Sequence, residues 1–226
     1  NLENSSINNI NVLKKLYKKK INFKKLDVRN EKKLFDYLKN NKITDIIHLA
    51  GLKSVEESEI YPEKYYENNI VGIISILKSM NYAKTKNIIF SSSATVYGDG
   101  KRNKINEKNS VGYKNSYGLT KLISEDLIKN FCKKKKIKSV ILRYFNPVGS
   151  HKNFLIGDDP LQPRNLMPIL NKSAFTKEKK ISIYGNNYKT KDGTAIRDYI
   201  HISDLASSHT ECLKIFHKIK NYEILN

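Results

Sequence analysis

The chain has 226 residues, 39% hydrophobic and 10% aromatic, which is enough apolar material for one or two cored domains. No run approaches the ~20 apolar residues of a membrane helix, and the two cysteines, Cys132 and Cys212, supply neither a disulfide framework nor metal-ligand spacing, as in proteins of a reducing compartment. Net charge is +20, from 42 Lys+Arg against 22 Asp+Glu, but only five of the 42 are arginine, the type that reads phosphates and bases bidentately; the excess reads as compositional bias and not as a nucleic-acid surface.

In chain order, "INFKKLDV" (21–28) reads as a strand and "NEKKLFDYLKNN" (30–41) as a helix with Leu34, Phe35 and Leu38 on one face. "DIIHLAG" (45–51) is a short apolar strand, and "PEKYYENNIVGIISILKSMNYA" (62–83) a helix opened by proline at its first turn. "NIIFSSSATV" (87–96) is the next strand. Residues 115–134 form a helix capped by Asn115 or Ser116, with Leu119, Leu122, Ile123, Leu127 and Phe131 as its apolar stripe. "KSVILRYFNP" (138–147) is a further strand. Beyond it the pattern loosens into a short helix (164–175), a strand "ISIYG" (181–185), a polar loop, and a helix 202–217 capped by Ser203. The final "NYEILN" has strand character.

Alternating strands and helices predict an α/β fold with a parallel sheet covered on both faces. Such sheets bind ligands beyond the carboxyl ends of their strands. Three successive hydroxyls at one of those ends, Ser91-Ser92-Ser93, need partners, because an unpaired buried hydroxyl costs about 1–3 kcal/mol; a local turn or a ligand could provide them. Tyr117 and Lys121 are four apart on one helix, so the ammonium is expected to lower the phenol pKa and make it a usable base. Chance predicts about two such pairs, and the chain holds three, Tyr82–Lys86, Tyr97–Lys101 and Tyr117–Lys121. Only the last opens a capped amphipathic helix between two core strands.

The ordered set "HLAGLKSVEES", "YYENNIVG", "FSSSATVYG", "SYGLTK", "LRYFNPVG", "NLMP" and "DGTAIRDYIH" resembles the UDP-glucose 4-epimerase family of extended short-chain dehydrogenase/reductases, from Asn1 to Asn226. The resemblance implies a doubly wound Rossmann-type sheet lacking its first strands, with part of a smaller substrate domain. Residues 1–150 would be the NAD-binding domain without its Gly-rich βαβ, 151–201 a partial nucleotide-sugar domain, and 202–226 a helix and strand returning to the first. It further implies NAD as cofactor, UDP-glucose and UDP-galactose as substrates, a homodimer, a cytoplasmic location, and no nucleic-acid or membrane partner.

The same resemblance assigns roles by position. Tyr117 would be the catalytic base, Lys121 would hold the nicotinamide ribose and lower the Tyr117 pKa, and Ser93 would hydrogen-bond the sugar 4-oxygen. Asp27 and Val28 would flank the adenine; Leu49, Ala50, Gly51, Leu52 and Lys53 would line the dinucleotide; and Asn68, Ser91 and Phe145 would complete the cofactor contacts. Asn146, Asn165, Leu166, Ser182, Ile183, Tyr184 and Arg197 would hold the nucleotide sugar. Arg164 departs from the family pattern, which has Asn there. Without the Gly-rich turn and with a C-terminal portion of the pattern missing, the chain by itself is expected to bind NAD weakly, to aggregate, and to be inactive. A 4,6-dehydratase or decarboxylase shares Tyr-x-x-x-Lys but carries an acidic pair where this chain has Ala94-Thr95, which favours epimerisation.

Overall fold

The structure is a computed structural model that describes residues 1–3, 5–17, 21–98, 104–153, 155–157, 165–176, 180–183 and 185–226. It divides into two compact units, Asn1–Tyr144 with Ser207–Asn226, and Phe145–Ala206.

The first unit is built on a four-stranded parallel sheet of β1 (Asp45–His48), β2 (Asn87–Ser91), β3 (Lys138–Leu142) and β6 (Tyr222–Leu225), in the order β1-β2-β3-β6. Strand periodicity of two sorts its side chains cleanly. Ile88, Phe90 and Ile141 point to one face, where they pack with Leu34 and Leu38 of α2 (Glu31–Asn40), with Ile73, Ile76, Leu77 and Met80 of α5 (Gly72–Ala83), and with Ile128 and Cys132 of α6 (Ser116–Lys135). Ile89, Val140 and Leu142 point to the other, against Cys212, Phe216 and Ile219. β2 and β3 are thus buried on both sides, which is why their sequences are apolar runs and not alternations.

The helix expected over 62–83 is continuous but not uniform. It runs α4 (Pro62–Tyr65), a π-helical stretch Tyr66–Val71, then α5, with Pro62 at its first turn. π-turns widen the coil locally and recur at functional sites; this one buries Asn69. Ahead of it, α3 (Val55–Ile60) is capped by Ser54, whose hydroxyl accepts from the Glu57 amide at 3.3 Å. The N-terminal helix α1 (Ile7–Tyr17) buries no residue.

Several expectations are corrected. Residues 21–28 form no strand: an extended segment becomes one only when a neighbour completes its ladder, and no described strand lies beside it, although Leu26 and Val28 still pack against the core. Residues 181–183 and 185 likewise carry no strand. On α6 the expected apolar stripe of Leu119, Leu122, Ile123, Leu127 and Phe131 is only half-buried, whereas Gly118, Thr120, Lys121, Ser124 and Glu125 are buried. The physical reason is what the helix faces: serines and an arginine at the ends of β2 and β3, which select small and ionic partners. Its cap is Asn115, accepting from the Gly118 amide at 2.7 Å.

The second unit pairs β4 (Asn146–Val148) with β5 (Tyr199–His201) in parallel, so the strand expected over 138–147 is in fact two strands in different sheets. It also holds α7 (Leu166–Phe175), which buries no residue, and a loop closed by the Tyr188 amide donating to the Gly193 carbonyl at 3.1 Å. The helix α8 (Ile202–Ile215) begins in this unit and ends in the first. Ser203 lies inside α8 and is not its cap; the Ser203 amide donates instead to His201 Nδ1 at 3.2 Å, so an imidazole does the capping.

Candidate active site

The polar carboxyl end of β2 meets the first two turns of α6. Here each of the three serines has its own partner. Ser91 Oγ hydrogen-bonds the Tyr144 hydroxyl, Ser92 Oγ donates to Glu125 Oε1 at 2.6 Å, and Ser93 Oγ accepts from the Thr95 amide at 3.2 Å while capping the single 3-10 turn Ala94–Val96. The Ser93 hydroxyl also faces the Tyr117 phenol, near enough to lower its pKa. A local turn therefore accounts for Ser93, α6 for Ser92, and Tyr144, just beyond β3, for Ser91.

Tyr117, Lys121 and Glu125 succeed one another at intervals of four along α6 and so share a face. Lys121 Nζ donates to the Ser91 carbonyl at 2.7 Å and lies 5.0 Å from the Phe90 ring and 5.7 Å from the Tyr117 ring. Ser93, Tyr117 and Lys121 thus come together at one strand end.

Their titration differs from the expectation. Burial pushes Tyr117 up to about 12, with the Ser93 hydrogen bond opposing, so the phenol is not depressed. Desolvation wins because the ammonium sits over the ring and spends a hydrogen bond on a backbone carbonyl. Burial also lowers Lys121 to about 8, with the Glu125 carboxylate opposing. His48, at the end of β1, is pushed down to about 3 by burial and then by the Lys121 charge, and its neutral ring stacks on Phe90 at 5.7 Å.

Behind these groups lies a buried ion pair that sequence reasoning missed. Arg143 reaches Glu125 through Nε at 2.9 Å and a terminal nitrogen at 2.6 Å, and the side chains are 3% and 0% exposed. One signal was available: a rare arginine in a lysine-rich chain, at the end of a core strand. A second missed residue is Asn69. Its Oδ1 accepts from the Leu52 amide at 2.9 Å, and its Nδ2 donates to the Leu52 carbonyl at 3.0 Å and to Thr120 Oγ1 at 3.1 Å. It ties the loop after β1 to α6 between Tyr117 and Lys121. A third is Thr95, whose Oγ1 is buried without a hydrogen-bond partner among the described residues, two positions from Ser93.

The remaining expected residues fall as follows. Leu49, Ala50 and Lys53 are exposed beyond β1, Leu52 is buried, and a Cβ on Gly51 would sit 3.1 Å from Asn69 Oδ1 and 3.9 Å from Lys121 Nζ. Asn68 is half-buried on the π-turn. Val28 is packed against the core, and the Asp27 carboxylate is held by Arg29 at 2.7 Å, which keeps it well below the usual carboxylate range. In the second unit, Phe145 is half-buried, Asn146 Nδ2 donates to the Asp198 carbonyl at 2.8 Å, and Arg197 donates to the Ile196 carbonyl at 2.9 Å. Asn165 occupies the cap position of α7 without a side-chain hydrogen bond there, and Leu166, Ser182 and Ile183 are exposed. Tyr184 and Arg164 lie outside the described residues. Among the described residues no group of His, Cys, Asp and Glu could hold a metal ion.

Residues 3–226 match the family described as "NAD dependent epimerase/dehydratase family". A UDP-glucose 4-epimerase of Dictyostelium discoideum is 43% identical over 222 residues, covering 97% of this chain and 64% of the relative. One of Yersinia enterocolitica is 44% identical over 216 residues, covering 94% and 64%. This chain therefore spans just under two thirds of the length of those curated relatives. Among solved structures, the UDP-glucose-4-epimerase of Stenotrophomonas maltophila, with bound NAD and formylated UDP-arabinopyranose, superposes with a TM-score of 0.94 at 35% identity, covering 100% of this chain and 68% of that one. The Bifidobacterium longum enzyme, in complex with NAD+ and UDP, gives 0.92 at 39% identity, covering 98% and 67%.

Proposed function

Since this chain belongs to the NAD dependent epimerase/dehydratase family, we propose that the protein interconverts UDP-glucose and UDP-galactose by inverting C4 through a 4-keto sugar. The observation that carries the reading is the meeting of Ser93, Tyr117 and Lys121 at the carboxyl end of a parallel strand. The residues present fit a dinucleotide and a sugar hydroxyl. Gly51 leaves room beside Lys121 that a side chain would fill, and the unpartnered Thr95 hydroxyl next to Ser93 needs a polar ligand atom.

Inverting a secondary alcohol requires breaking its C4–H bond, and oxidation to a ketone removes that hydrogen as hydride while the hydroxyl loses a proton. NAD, when bound, accepts the hydride, returns it, and brings a positive charge to the site. Tyr117 takes the hydroxyl proton and gives it back. At rest its phenol is protonated, since burial holds it up to about 12, so it serves as a base only when added positive charge lowers that value. Ser93 hydrogen-bonds the 4-oxygen beside the phenol, and Lys121, with a pKa of about 8, remains a cation at neutral pH. Leu49, Ala50, Leu52, Lys53, Asn68, Ser91 and Phe145, with Asp27 and Val28 at the adenine, are the further cofactor contacts in this reading. Asn146, Asn165, Leu166, Ser182, Ile183, Tyr184 and Arg197 bind the nucleotide sugar, with Arg197 offsetting diphosphate charge.

The half-exposed Leu119, Leu122 and Ile123 of α6, with Val71 and Ile74 at 44% and 36% exposure, are read as the face of a homodimer, which sedimentation would test. None of the described helices is long and apolar enough to cross a membrane, and a cytoplasmic location belongs to the same reading. The test of function is coupled-assay conversion of UDP-galactose by the natural gene product containing this sequence. Tyr117→Phe should lower turnover by about 10²–10⁴-fold. Absence of conversion by the parent protein with NAD, or a Tyr117→Phe variant within tenfold of it, overturns the proposal. Formation of a 4-keto-6-deoxy product would transfer it to the dehydratases.

A further inference from the structure

Three consecutive residues of the β2 end each engage α6. Ser93 faces the Tyr117 phenol, the Ser91 carbonyl accepts from Lys121 at 2.7 Å, and Ser92 Oγ donates to Glu125 at 2.6 Å. The first two rungs involve groups assigned to chemistry in the proposed function; the third does not. Glu125 is fully buried, and its second partner is the equally buried Arg143 at the end of β3. Arg143 is fixed in turn: its amide donates to the Leu225 carbonyl of β6 at 2.8 Å, and its guanidinium lies 5.0 Å over the Tyr97 ring. Ser92 is bound to the same strand end, its amide donating to the Leu142 carbonyl at 2.8 Å.

An ion pair is an expensive way to join a helix to a sheet. Apolar replacements of a buried pair are often neutral or stabilising, so packing alone does not call for one. What a bidentate carboxylate–guanidinium pair supplies is a fixed distance and orientation. We propose that Glu125, locked by Arg143, is a positioning residue: through Ser92 it sets the register of the β2 end against α6, and thereby the placement of Ser93 against Tyr117 and of Lys121 against the Ser91 carbonyl. This rests on the epimerase reading for what the placement achieves, but the three-rung geometry stands without it.

A second effect accompanies the first. Lys121 is buried beside His48 of β1, the rings of Phe90 and Tyr117, and, one turn along its own helix, Glu125 backed by Arg143. The carboxylate is the one group of these that raises the Lys121 pKa; burial lowers it, to about 8, and His48 is neutral there. Replacing Glu125 with a neutral amide removes that support and leaves Arg143 as an uncompensated cation nearby. Lys121 then loses its proton at lower pH.

The test compares Ser92→Ala, which deletes one hydroxyl and keeps the ion pair, with Glu125→Gln and Glu125→Asp, all in the natural gene product with NAD. The expected result is a tenfold or larger fall in kcat for Ser92→Ala and Glu125→Gln, with KM for UDP-galactose within threefold, since Ser92, Glu125 and Arg143 are not among the residues read as holding the nucleotide sugar. The alkaline limb of the kcat profile should move at least half a pH unit toward neutral in Glu125→Gln and stay in place in Ser92→Ala. Glu125→Asp, which keeps the charge, should restore the limb. Ser92→Ala with kcat within twofold of the parent overturns the positioning role. A Glu125→Gln limb that does not move overturns the electrostatic one. If Glu125→Gln fails to fold, Ser92→Ala by itself decides the proposal. Loss of activity in the parent protein itself would instead overturn the epimerase reading.

Discussion

Replacing Asn69 by leucine keeps the count and branching of side-chain heavy atoms and deletes the hydrogen bonds by which Asn69 ties the β1 loop to α6. The Leu52 amide at 2.9 Å and the Leu52 carbonyl at 3.0 Å lose their partner, and Leu52 is only 8% exposed, so water does not readily replace it. Thr120 suffers less, because its hydroxyl still donates to the Tyr117 carbonyl at 2.7 Å. Two orphaned backbone groups cost about 1–3 kcal/mol each, and the extra apolar burial of leucine offsets roughly 1 kcal/mol. The net loss is about 1–5 kcal/mol, read as a lower midpoint at unchanged m in urea unfolding. For a chain of this length that corresponds to roughly 2–20 °C in Tm. Asn69→Ala, which leaves space for a water to bridge the same two groups, should lose less than Asn69→Leu. A leucine variant within about 0.5 kcal/mol of the parent would show that the clamp contributes nothing and that the loop is held by packing.

Other predictions follow from titration and backbone geometry. His48 is held near 3 in the fold against 6.5 as a free side chain, so between those values the unfolded chain binds more protons and stability falls as pH drops; His48→Phe should flatten the acid limb of urea midpoints between pH 6.5 and 4, and an unchanged slope would refute the buried neutral imidazole. For Tyr117, the ultraviolet difference titration between parent and Tyr117→Phe should show a phenol ionising near 12 in protein free of nucleotide; a midpoint below 9 would restore the expectation that Lys121 acidifies it unaided. Gly193 has φ +73, and a Cβ there would come within 2.1 Å of the Asn186 carbonyl oxygen. Gly193→Ala should therefore open the 186–193 loop to proteolysis, and parent-like resistance would refute the strain.

How much was legible in the sequence follows from the range of the forces involved. The strands at 45–48, 87–91 and 138–142 and the helices at 31–40 and 116–135 announce themselves through apolar runs, helical spacing and caps such as Asn115, all of which are local. The Tyr117–Lys121 pair is visible in its spacing on a capped helix, whereas Ser93 and the three roles come from the family resemblance. What failed were the features that depend on a distant neighbour. Residues 21–28 have strand composition but no ladder partner, and the strand read through Pro147 divides between two sheets. Nothing local distinguishes Glu125 from any polar helix residue, because its buried partner, Arg143, lies 18 positions on. The Tyr117 pKa was misjudged for the same reason: the sequence gives the spacing of a cation and a phenol, whereas the extent of desolvation depends on everything packed around them. Local periodicity and side-chain chemistry determined the elements and the reactive groups; tertiary burial decided which polar groups pair and in which protonation state they rest, because the cost of a charge is set by its surroundings and not by its position along the chain.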